Sequence, residues 1–431
     1  MEKSVTETRS LANESNAASD VWDAIVIGGG PAGAVAARQL SLSGARVLLV
    51  ERKPFPRRKV CGACLNASGL AVLEAIGLRE KVLALHGVPL QRFHVRGGAG
   101  EFMLPLPEGV AISRAALDEA LVGWAIDSGV TFQSRTRAVV GPARDDERGV
   151  SLHIEGEATH STIEVAARVV LAADGLGHPS LCDLPEFTSH ATDGSRIGAG
   201  CEVRDFPADY QAGTIHMAVG RAGYVGLAVI ETGALNVAAA LDARAVREHG
   251  GLAAAAAAVL RETGCPPTPS LADADWLGTP MLTRRESRLA APRLFLVGDA
   301  AGYIEPFTGE GMTWAVHAGC AVTPLALRAI HDWRPSLMRD WTALHQRLVG
   351  RRQRVCRVVS GVLRRPWLFA AATRLLSIAP RVVRPLVRFI HTPPRLSGLN
   401  SPSDHLLNAR INRITHINLN PALARPTTER V

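Results

Sequence analysis

Two apolar runs near the start of the chain predict buried strands. Residues 24–27 form an uninterrupted apolar run between Asp23 and a group of glycines, and residues 45–50 form a second run that is apolar except for Arg46. Short apolar runs bounded by glycine and charged residues are typical of strands that are buried on both faces. Residues 31–43, which lie between these runs, predict a helix that ends at Gly44. The order strand, helix, strand indicates an α/β fold with a parallel sheet.

The middle of the chain follows a different pattern. Residues 91–95 predict a single strand, and the alanine run at 253–258 predicts a helix. Between them lie four short apolar stretches separated by turn residues, at 198–203, 213–219, 224–230 and 235–241. This spacing is typical of an antiparallel sheet, so we expect a second, smaller lobe.

The C-terminal region is both basic and apolar. Residues 341–403 contain no Asp or Glu, in a chain whose formal net charge is +8. They contain twelve arginines, at positions 347, 351, 352, 354, 357, 364, 365, 374, 381, 384, 388 and 395. Apolar residues fill the positions between them, which predicts basic amphipathic helices. Such helices either contact an anionic membrane surface or cap the substrate lobe. Nucleic-acid binding is not expected, because no nucleic-acid-binding fold or stacking motif accompanies the charge.

The composition agrees with a cytoplasmic enzyme. A chain of 431 residues is long enough for two lobes with a buried core. Its seven cysteines are an odd number, and their scatter indicates no disulfide framework. The first twenty residues lack the apolar segment of a signal peptide, and no apolar run has the length of a membrane span. We therefore expect a cytoplasmic protein, whose basic helices are candidates for peripheral contact with the inner face of a membrane.

A glycine motif follows the first predicted strand. Gly28, Gly30 and Gly33 have the spacing of the dinucleotide-binding fingerprint. In that fingerprint the glycines permit a tight turn, a close approach of backbone to a diphosphate, and close packing of helix on strand. Pro31 and Ala32 begin the helix, whose free N–H groups then point at the phosphates. We therefore expect the chain to bind a dinucleotide.

Charged residues close the second predicted strand. Glu51 lies eighteen positions after Gly33 and is followed by Arg52. An acidic side chain at this position binds the ribose hydroxyls in dinucleotide-binding folds. Both Glu51 and Arg52 therefore belong to the predicted cofactor site.

A second strand-and-turn motif far downstream indicates which dinucleotide is bound. Residues 293–297 predict a buried strand that leads into a glycine-rich turn. The candidate ligands in this turn and in the following helix start are Gly298, Asp299, Gly309, Gly311 and Met312. A carboxylate here suits the ribityl hydroxyls of FAD, whereas a simple NAD enzyme needs no second turn of this kind. Asp299 alone would also fit a helix N-cap, but its pairing with the first glycine motif favours FAD.

Together these motifs resemble those of the FAD-dependent oxidoreductases that include geranylgeranyl reductases and aromatic hydroxylases, which share a glutathione-reductase-type FAD-binding fold. Residues 112–118 resemble the family segment whose arginine reaches the FAD phosphates, which implies this role for Arg114. Residues 170–175 resemble the family's Asp-Gly motif, which implies that Asp174 contacts FAD. The family usually has an arginine where this chain has Leu181.

Residues 56–66 resemble the loop of geranylgeranyl reductases in which a proline and basic residues precede Cys-Gly. In that group the loop lies beside the flavin, which implies that Cys61 and Gly62 lie next to the reacting double bond. Cys64 departs from the commonest family pattern. From the residues alone, Cys61 and Cys64 also fit a redox dithiol or two ordinary buried thiols. One such pair is poor evidence for a zinc site.

The resemblance implies a Rossmann-like FAD-binding domain with an inserted antiparallel-sheet substrate domain and a basic helical C-terminal region. We predict FAD-binding segments at about 21–85, 105–195 and 280–340, substrate-domain segments at about 86–104 and 196–279, a disordered tail at 1–20 and a second tail at 404–431.

The implied function is oxidoreduction of a hydrophobic, lipid- or polyketide-like substrate. As in the geranylgeranyl reductases, we expect reduction of carbon–carbon double bonds, with NAD(P)H as a transient electron donor. An FAD-dependent monooxygenase acting on an aromatic or lipidic substrate is one alternative. A non-catalytic flavin-fold protein docked to a membrane or to partner enzymes is another, although the intact glycines and Asp299 argue against it.

Overall fold

The computed structural model describes residues 21–98, 100–155, 160–305 and 307–394. Both predicted tails, Pro306 and the last residues of the basic region lie outside these ranges. The helices are α1 (Pro31–Leu42), α2 (Ala67–Ala75), α3 (Arg79–Leu83), α4 (Arg114–Asp127), α5 (Ala243–His249), α6 (Leu252–Glu262), α7 (Gly311–His331), α8 (Ser336–His345), α9 (Arg351–Leu363), α10 (Pro366–Ile378) and α11 (Arg384–His391). The strands are β1 (Trp22–Ile27), β2 (Val47–Val50), β3 (Cys64–Asn66), β4 (Val88–Pro89), β5 (Arg92–Gly97), β6 (Gly100–Pro105), β7 (Gly109–Ala111), β8 (Thr131–Gln133), β9 (Thr136–Ala143), β10 (Arg148–Glu155), β11 (His160–Ala172), β12 (Ser189–Ala191), β13 (Ile197–Val203), β14 (Thr214–Gly220), β15 (Gly223–Val229), β16 (Leu235–Leu241), β17 (Leu277–Met281), β18 (Arg284–Glu286), β19 (Ala290–Ala291) and β20 (Leu294–Leu296).

The first sheet has a parallel centre. Its strands follow the order β19-β20-β11-β1-β2-β8, and every neighbouring pair from β20 to β8 is parallel. Because β1 and β2 lie inside this sheet with packed layers on both faces, their apolar runs show no alternation with polar residues. The predicted α/β, Rossmann-like fold class is confirmed.

Two glycines allow α1 to lie unusually close to its neighbours. A Cβ atom at Gly33 would lie 1.9 Å from the carbonyl oxygen of Gly28. A Cβ atom at Gly319, on α7, would lie 2.5 Å from the carbonyl oxygen of Ala32. Both distances are far below any van der Waals contact, so only glycine fits at these positions. The contacts fix the start of α1 against β1 on one side and against α7 on the other.

The second sheet contains the four predicted middle strands. Its order is β17-β13-β16-β15-β14-β5-β6, and most of its pairs are antiparallel. The predicted antiparallel pairing of the four middle strands is confirmed, and β5, which the sequence predicts only as a single strand, joins the sheet in parallel with β14. After β6 the chain contributes several strands to the first sheet before it returns to this one. Strands β5 and β14 are therefore not joined by a hairpin, which would require antiparallel pairing.

The C-terminal region forms helices α8 to α11. A π-helical turn at residues 346–350 joins α8 to α9. The predicted basic helices therefore extend as far as His391, while positions 395–403 lie outside the described residues. One face of α9 packs its valines and leucines toward β5 and β6. Within the described part of the chain, no helix combines the length and the apolarity that a membrane span requires.

Candidate active site

A cavity of about 1200 Å³, including its open mouth, lies between the two sheets. Its walls come from segments that follow β1, β11 and β20 and from β14, β15 and β16. Ligands of parallel α/β sheets bind at the carboxyl ends of the strands, which is where this cavity lies. Ten of the predicted site residues line it: Gly30, Pro31, Ala32, Cys61, Gly62, Arg114, Asp299, Gly309, Gly311 and Met312.

The other predicted residues do not line this cavity: Gly28, Gly33, Glu51, Arg52, Asp174 and Gly298. The glycines shape the backbone behind it. Gly28 has a φ of +108°, and a Cβ atom there would lie 2.3 Å from the carbonyl oxygen of Ala173. Gly298 has a φ of +64°, in the left-handed region that L side chains rarely adopt. Arg52 is exposed.

Two helices begin at the cavity with unused N–H groups. α1 begins at Pro31 and α7 at Gly311, and neither N-terminus has a side-chain cap. Free N–H groups at a helix start, reinforced by the helix dipole, bind phosphates and other anionic groups. The chain therefore leaves donors uncapped where the diphosphate and the ring of FAD would need them, and the cavity fits this cofactor.

A chain of ion pairs connects the predicted phosphate ligand to the glycine turn. Arg114 donates two hydrogen bonds, of 2.8 and 2.7 Å, to the buried carboxylate of Asp118. Asp118 also pairs with Arg57 at 3.0 Å, and Arg57 pairs with Glu51 at 3.1 Å. Glu51 in turn accepts the N–H of Gly29 at 2.9 Å. These contacts position Arg114 at the cavity and use part of the acceptor capacity of Glu51 to hold the turn.

Lys59 is a cavity residue that sequence analysis missed. Its side chain lines the cavity and is exposed to it as well as packed near Gly175. Burial and the nearby charges of Arg114 and Arg57 lower its pKa, and Asp299 opposes that shift. The basic residues before Cys61 look like a solvated charge cluster in the sequence, so only the fold distinguishes the cavity-facing amine from its neighbours.

Two carboxylates near the cavity have raised pKa values. Burial raises the pKa of Asp299, although Lys59 and Arg114 lie close enough to oppose the shift. Burial also raises the pKa of Asp174. Its Oδ2 accepts the N–H of Ser180 at 2.7 Å, while its Oδ1 is buried without a partner among the described residues. Acceptors of this kind fit a ligand that brings its own hydroxyl donors.

The Cys-Gly loop lies between the cavity and the second sheet. The side-chain amide of Asn236, on β16, donates to the carbonyl of Cys61 at 3.0 Å and so ties the loop to the sheet. Burial raises the pKa of the Cys61 thiol, and burial also raises that of Cys64, which donates to the carbonyl of Gly62. Both groups are therefore thiols near neutral pH, whereas a reactive dithiol relies on a thiolate.

Three further ionisable side chains line the cavity: Tyr224, Tyr303 and Glu305. Burial raises the pKa of both phenols well above its usual value and raises that of Glu305. Glu305 is 2% exposed, pairs with Arg196 at 3.3 Å through Oε1, and has no partner for Oε2 among the described residues. Tyr224 lies among apolar residues of β15, and Tyr303 and Glu305 follow the Asp299 turn, so none of the three belongs to a motif that the sequence would reveal.

The histidines of the second sheet, His94 and His216, do not line the cavity. On β14, Ile215 and Met217 line the cavity, so the intervening His216 points to the opposite face. Its ring lies 5.3 Å from that of Tyr210 and 5.6 Å from that of His94, measured between centroids. Burial lowers the pKa of His216 to about 4, so it is neutral and packs as part of the sheet.

Comparison with known families identifies the type of domain in which this cavity lies. The model of the FAD binding domain family matches residues 21–326, which is well over half of the chain. The protein therefore belongs to the FAD binding domain family. As a class, it is an FAD-dependent oxidoreductase, and this part of the prediction is confirmed.

The individual relatives and structural neighbours include both reductases and a monooxygenase. The chain is 33% identical to the menaquinone reductase of Mycobacterium tuberculosis over 37% of its own length and only 39% of that protein. It is 28% identical to the digeranylgeranylglycerophospholipid reductase 1 of Methanothermobacter thermautotrophicus over 78% of this chain and 82% of that one. The solved p-nitrophenol 4-monooxygenase of Pseudomonas putida superposes with a TM-score of 0.69 at 16% identity, covering 90% of this chain and 98% of that one. At that identity the likeness concerns the fold alone.

Proposed function

We propose that the protein reduces isolated carbon–carbon double bonds in a long-chain lipid while FAD occupies the cavity between the sheets. By their names, the two reductase relatives act on menaquinone and on a digeranylgeranylglycerophospholipid. Electrons are proposed to come from NAD(P)H or a small redox carrier. The observation that carries the proposal is a second, apolar cavity that borders the first.

The second cavity measures about 1360 Å³, including its open mouth. Six residues line both cavities: Cys64, Phe93, Ile215, Phe307, Thr308 and Gly309. The remaining lining is almost entirely apolar and comes from β5, β6 and helices α9, α10 and α11. An apolar cavity of this size suits a lipid tail, because burying the tail removes its surface from water. A tail held there would present one of its double bonds near the Cys61 loop.

The protein's part in this reaction is to orient the lipid and to hold a proton. Bound FAD supplies the hydride chemistry. Cys61, Tyr303 and Tyr224 remain protonated near neutral pH because burial raises the pKa of each. A protonated thiol or phenol at the cavity wall is a suitable donor for the carbon that becomes negatively charged.

Oxygen chemistry is the main alternative, and rapid reoxidation kinetics separate the two. The photoreduced holoprotein is mixed with oxygen in a stopped-flow instrument, with and without polyprenyl or phenolic lipids. Anaerobic reoxidation of the flavin by a polyprenyl lipid, with featureless reoxidation by oxygen, is the expected result. A hydroperoxyflavin spectrum that appears with a lipid would make the protein a monooxygenase. A protein that purifies without yellow colour and takes up no FAD would support the non-catalytic alternative.

A pair of adjacent substitutions tests the apolar cavity. Ala372 lines it, whereas the neighbouring Ala371 is exposed on the other side of α10. Ala372→Trp fills space that the lipid tail needs, so we expect kcat/KM for a long polyprenyl lipid to fall at least about tenfold. Ala371→Trp should leave it unchanged. Equal activity of the two variants on long-chain lipids would place the tail elsewhere.

The exposed side of α10 and α11 supports a proposed contact with an anionic membrane surface. Large apolar side chains are exposed on these helices and on the turn between them: Trp367, Leu375, Ile378, Val382 and Phe389. Arginines surround them, and residues 341–403 contain no acidic side chain. Arginine with exposed aromatic and aliphatic groups suits an anionic headgroup region, and the same helices cover the apolar cavity.

A further inference from the structure

A third cleft lies directly behind the wall of the flavin cavity. Along the segment 301–305, Tyr303 and Glu305 line the flavin cavity, whereas Gly302 and Ile304 line this cleft. The two spaces are therefore separated by a single extended segment. The cleft measures about 1670 Å³, including its open mouth, which is ample for a ligand the size of a dinucleotide.

The cleft concentrates positive charge. Five arginines line it: Arg284, Arg285, Arg288, Arg357 and Arg364. Two of them form the wall, since Arg284 donates to the hydroxyl of Ser189 at 2.7 Å and Arg364 donates to the carbonyl of Gly194 at 2.7 Å. The side chains of the other three are exposed and make no hydrogen bond or ion pair with any residue that the structure describes. Their guanidinium groups are therefore available to a ligand.

The carboxylates of the cleft do not neutralise these arginines. Glu286 is engaged elsewhere, because its two oxygens accept from His178 at 2.6 Å and from Ser189 at 2.7 Å. Asp193 is the other carboxylate in the lining, and it is exposed. The arginines also repel one another. Burial is the largest cause of the lowered pKa of Arg357, and the positive charges of Arg285 and Arg354 lower this pKa further. A bound anion relieves repulsion of this kind.

The remaining walls supply neutral hydrogen-bonding groups. Gln353 and Ser360 come from the polar side of α9, and Thr342 comes from α8. Gln346 and Gly350 come from the π-helical turn, an irregularity that is often found at functional sites. The same helix α9 thus presents arginines and amides to this cleft and valines to the apolar cavity on its other side.

We propose that this cleft binds a ligand carrying two or more phosphate groups. Guanidinium groups bind phosphate oxygens in pairs of parallel hydrogen bonds, and three unpaired arginines offer enough donors for two phosphates. The surrounding amides and hydroxyls suit a polar body attached to those phosphates. Two sources have this chemistry, the diphosphate of a soluble dinucleotide and the phosphate headgroups of a lipid surface. The proposal concerns a site separate from the flavin cavity and does not depend on which reaction occurs there.

Isothermal titration of the FAD-bound holoprotein tests it, with sodium pyrophosphate and NADP⁺ as soluble probes and phosphatidylglycerol vesicles as the lipid probe. The site variant combines Arg285→Gln, Arg288→Gln and Arg357→Gln. The control combines Arg137→Gln, Arg204→Gln and Arg247→Gln, three exposed arginines that line neither this cleft nor the flavin cavity. Both variants lose the same net charge, and the FAD content and melting temperature of each confirm its fold.

We expect the wild type to bind at least one probe, the site variant to bind it at least about tenfold more weakly, and the control to bind it unchanged. A response to pyrophosphate or NADP⁺ identifies a soluble ligand, whereas a response to vesicles alone, lost only in the site variant, identifies a lipid headgroup. The proposal is overturned if the wild type binds none of the probes. It is equally overturned if both variants weaken binding to the same extent, because net charge would then explain the affinity.

Discussion

At the scale of single residues, the character of the flavin cavity depends on charges held in place by buried partners. Arg114 is fixed by Asp118, and Asp118 is shared with Arg57. Among the described residues no carboxylate pairs with Lys59, so its ammonium group, unlike the guanidinium of Arg114, is available to act on a ligand. A positive charge near the flavin ring stabilises the reduced, anionic form of the cofactor.

Replacing Lys59 therefore tests where the ring lies. We expect Lys59→Met to lower the midpoint potential of the bound flavin by about 30 mV or more, which corresponds to roughly 1.4 kcal/mol for a two-electron couple. A dye-coupled redox titration measures the shift. The control is Lys53→Met, a lysine on the same loop that is exposed and does not line the cavity. A weaker FAD affinity with an unchanged potential would place Lys59 at the phosphates instead.

His317 makes a residue-scale prediction about acid stability. It is buried on α7 beside Ser68, and burial together with Arg352 lowers its pKa to about 3. In the unfolded chain an imidazole takes up a proton below about pH 6.5, but the folded protein excludes that proton. Stability from this neutral histidine is thus complete above pH 6.5 and is lost progressively as the pH falls below it.

We expect the free energy of unfolding to drop less between pH 7 and pH 5 in His317→Gln than in the wild type, by roughly 2 kcal/mol. Urea unfolding at several pH values measures the difference. His190→Gln, at an exposed histidine, should follow the wild type. Identical pH profiles for all three proteins would mean that His317 gains a proton in the folded state.

At the scale of secondary-structure elements, the contact between α1 and α7 controls the geometry of both helix starts at the cavity. Gly319→Ala would place a Cβ 2.5 Å from the carbonyl oxygen of Ala32. The helices must then separate, and we expect a loss of about 1–3 kcal/mol in the free energy of unfolding, together with weaker FAD binding. Thermal unfolding and FAD titration measure the two effects.

Gly361 on α9 provides a control for which we expect the free energy of unfolding to change in the opposite direction. A Cβ atom there would meet only the flexible end of Arg365, at 3.5 Å. Gly361→Ala should therefore stabilise the protein by roughly 0.5–1 kcal/mol through helix propensity and leave FAD binding unchanged. If Gly319→Ala were equally stabilising, the close helix contact would not constrain the cavity.

At the scale of the whole molecule, the C-terminal helices separate the apolar cavity from the arginine-lined cleft. They also form an exposed apolar surface. α9 lies between the apolar cavity and the arginine-lined cleft, while α10 and α11 expose apolar groups to the outside. Trp367 is 70% exposed and Ile378 is 85% exposed. Large apolar groups gathered on one basic surface usually mark an interaction site.

Vesicle cosedimentation tests the proposed membrane contact. We expect the wild type to bind vesicles that contain phosphatidylglycerol, and the double variant Trp367→Asp, Ile378→Asp to bind at least about fivefold less. Leu42→Asp, Met281→Asp adds the same charge at exposed apolar positions on α1 and β17 and should bind like the wild type. Equal binding by all three proteins would rule out these helices as the contact.

The sequence by itself determined those features that depend on neighbours along the chain. The run at 24–27, the glycine spacing from Gly28 to Gly33 and the turn around Asp299 predict strands, a helix start and FAD, because each requirement acts within a few residues. The family comparison confirms the FAD-binding class. The assignment of individual site residues and the domain boundaries remain predictions.

The tertiary structure alone decided which side chains from distant segments share a space. It brought Lys59, Tyr303 and Glu305 to one cavity wall, turned His216 away from it, and paired β14 with β5 in parallel. It also placed the two faces of α9 against two different cavities. An amphipathic pattern predicts an apolar and a polar face but not the space that each face lines. The physical reason is that periodicity shows which face of an element avoids water, whereas only the packed chain determines what that face meets.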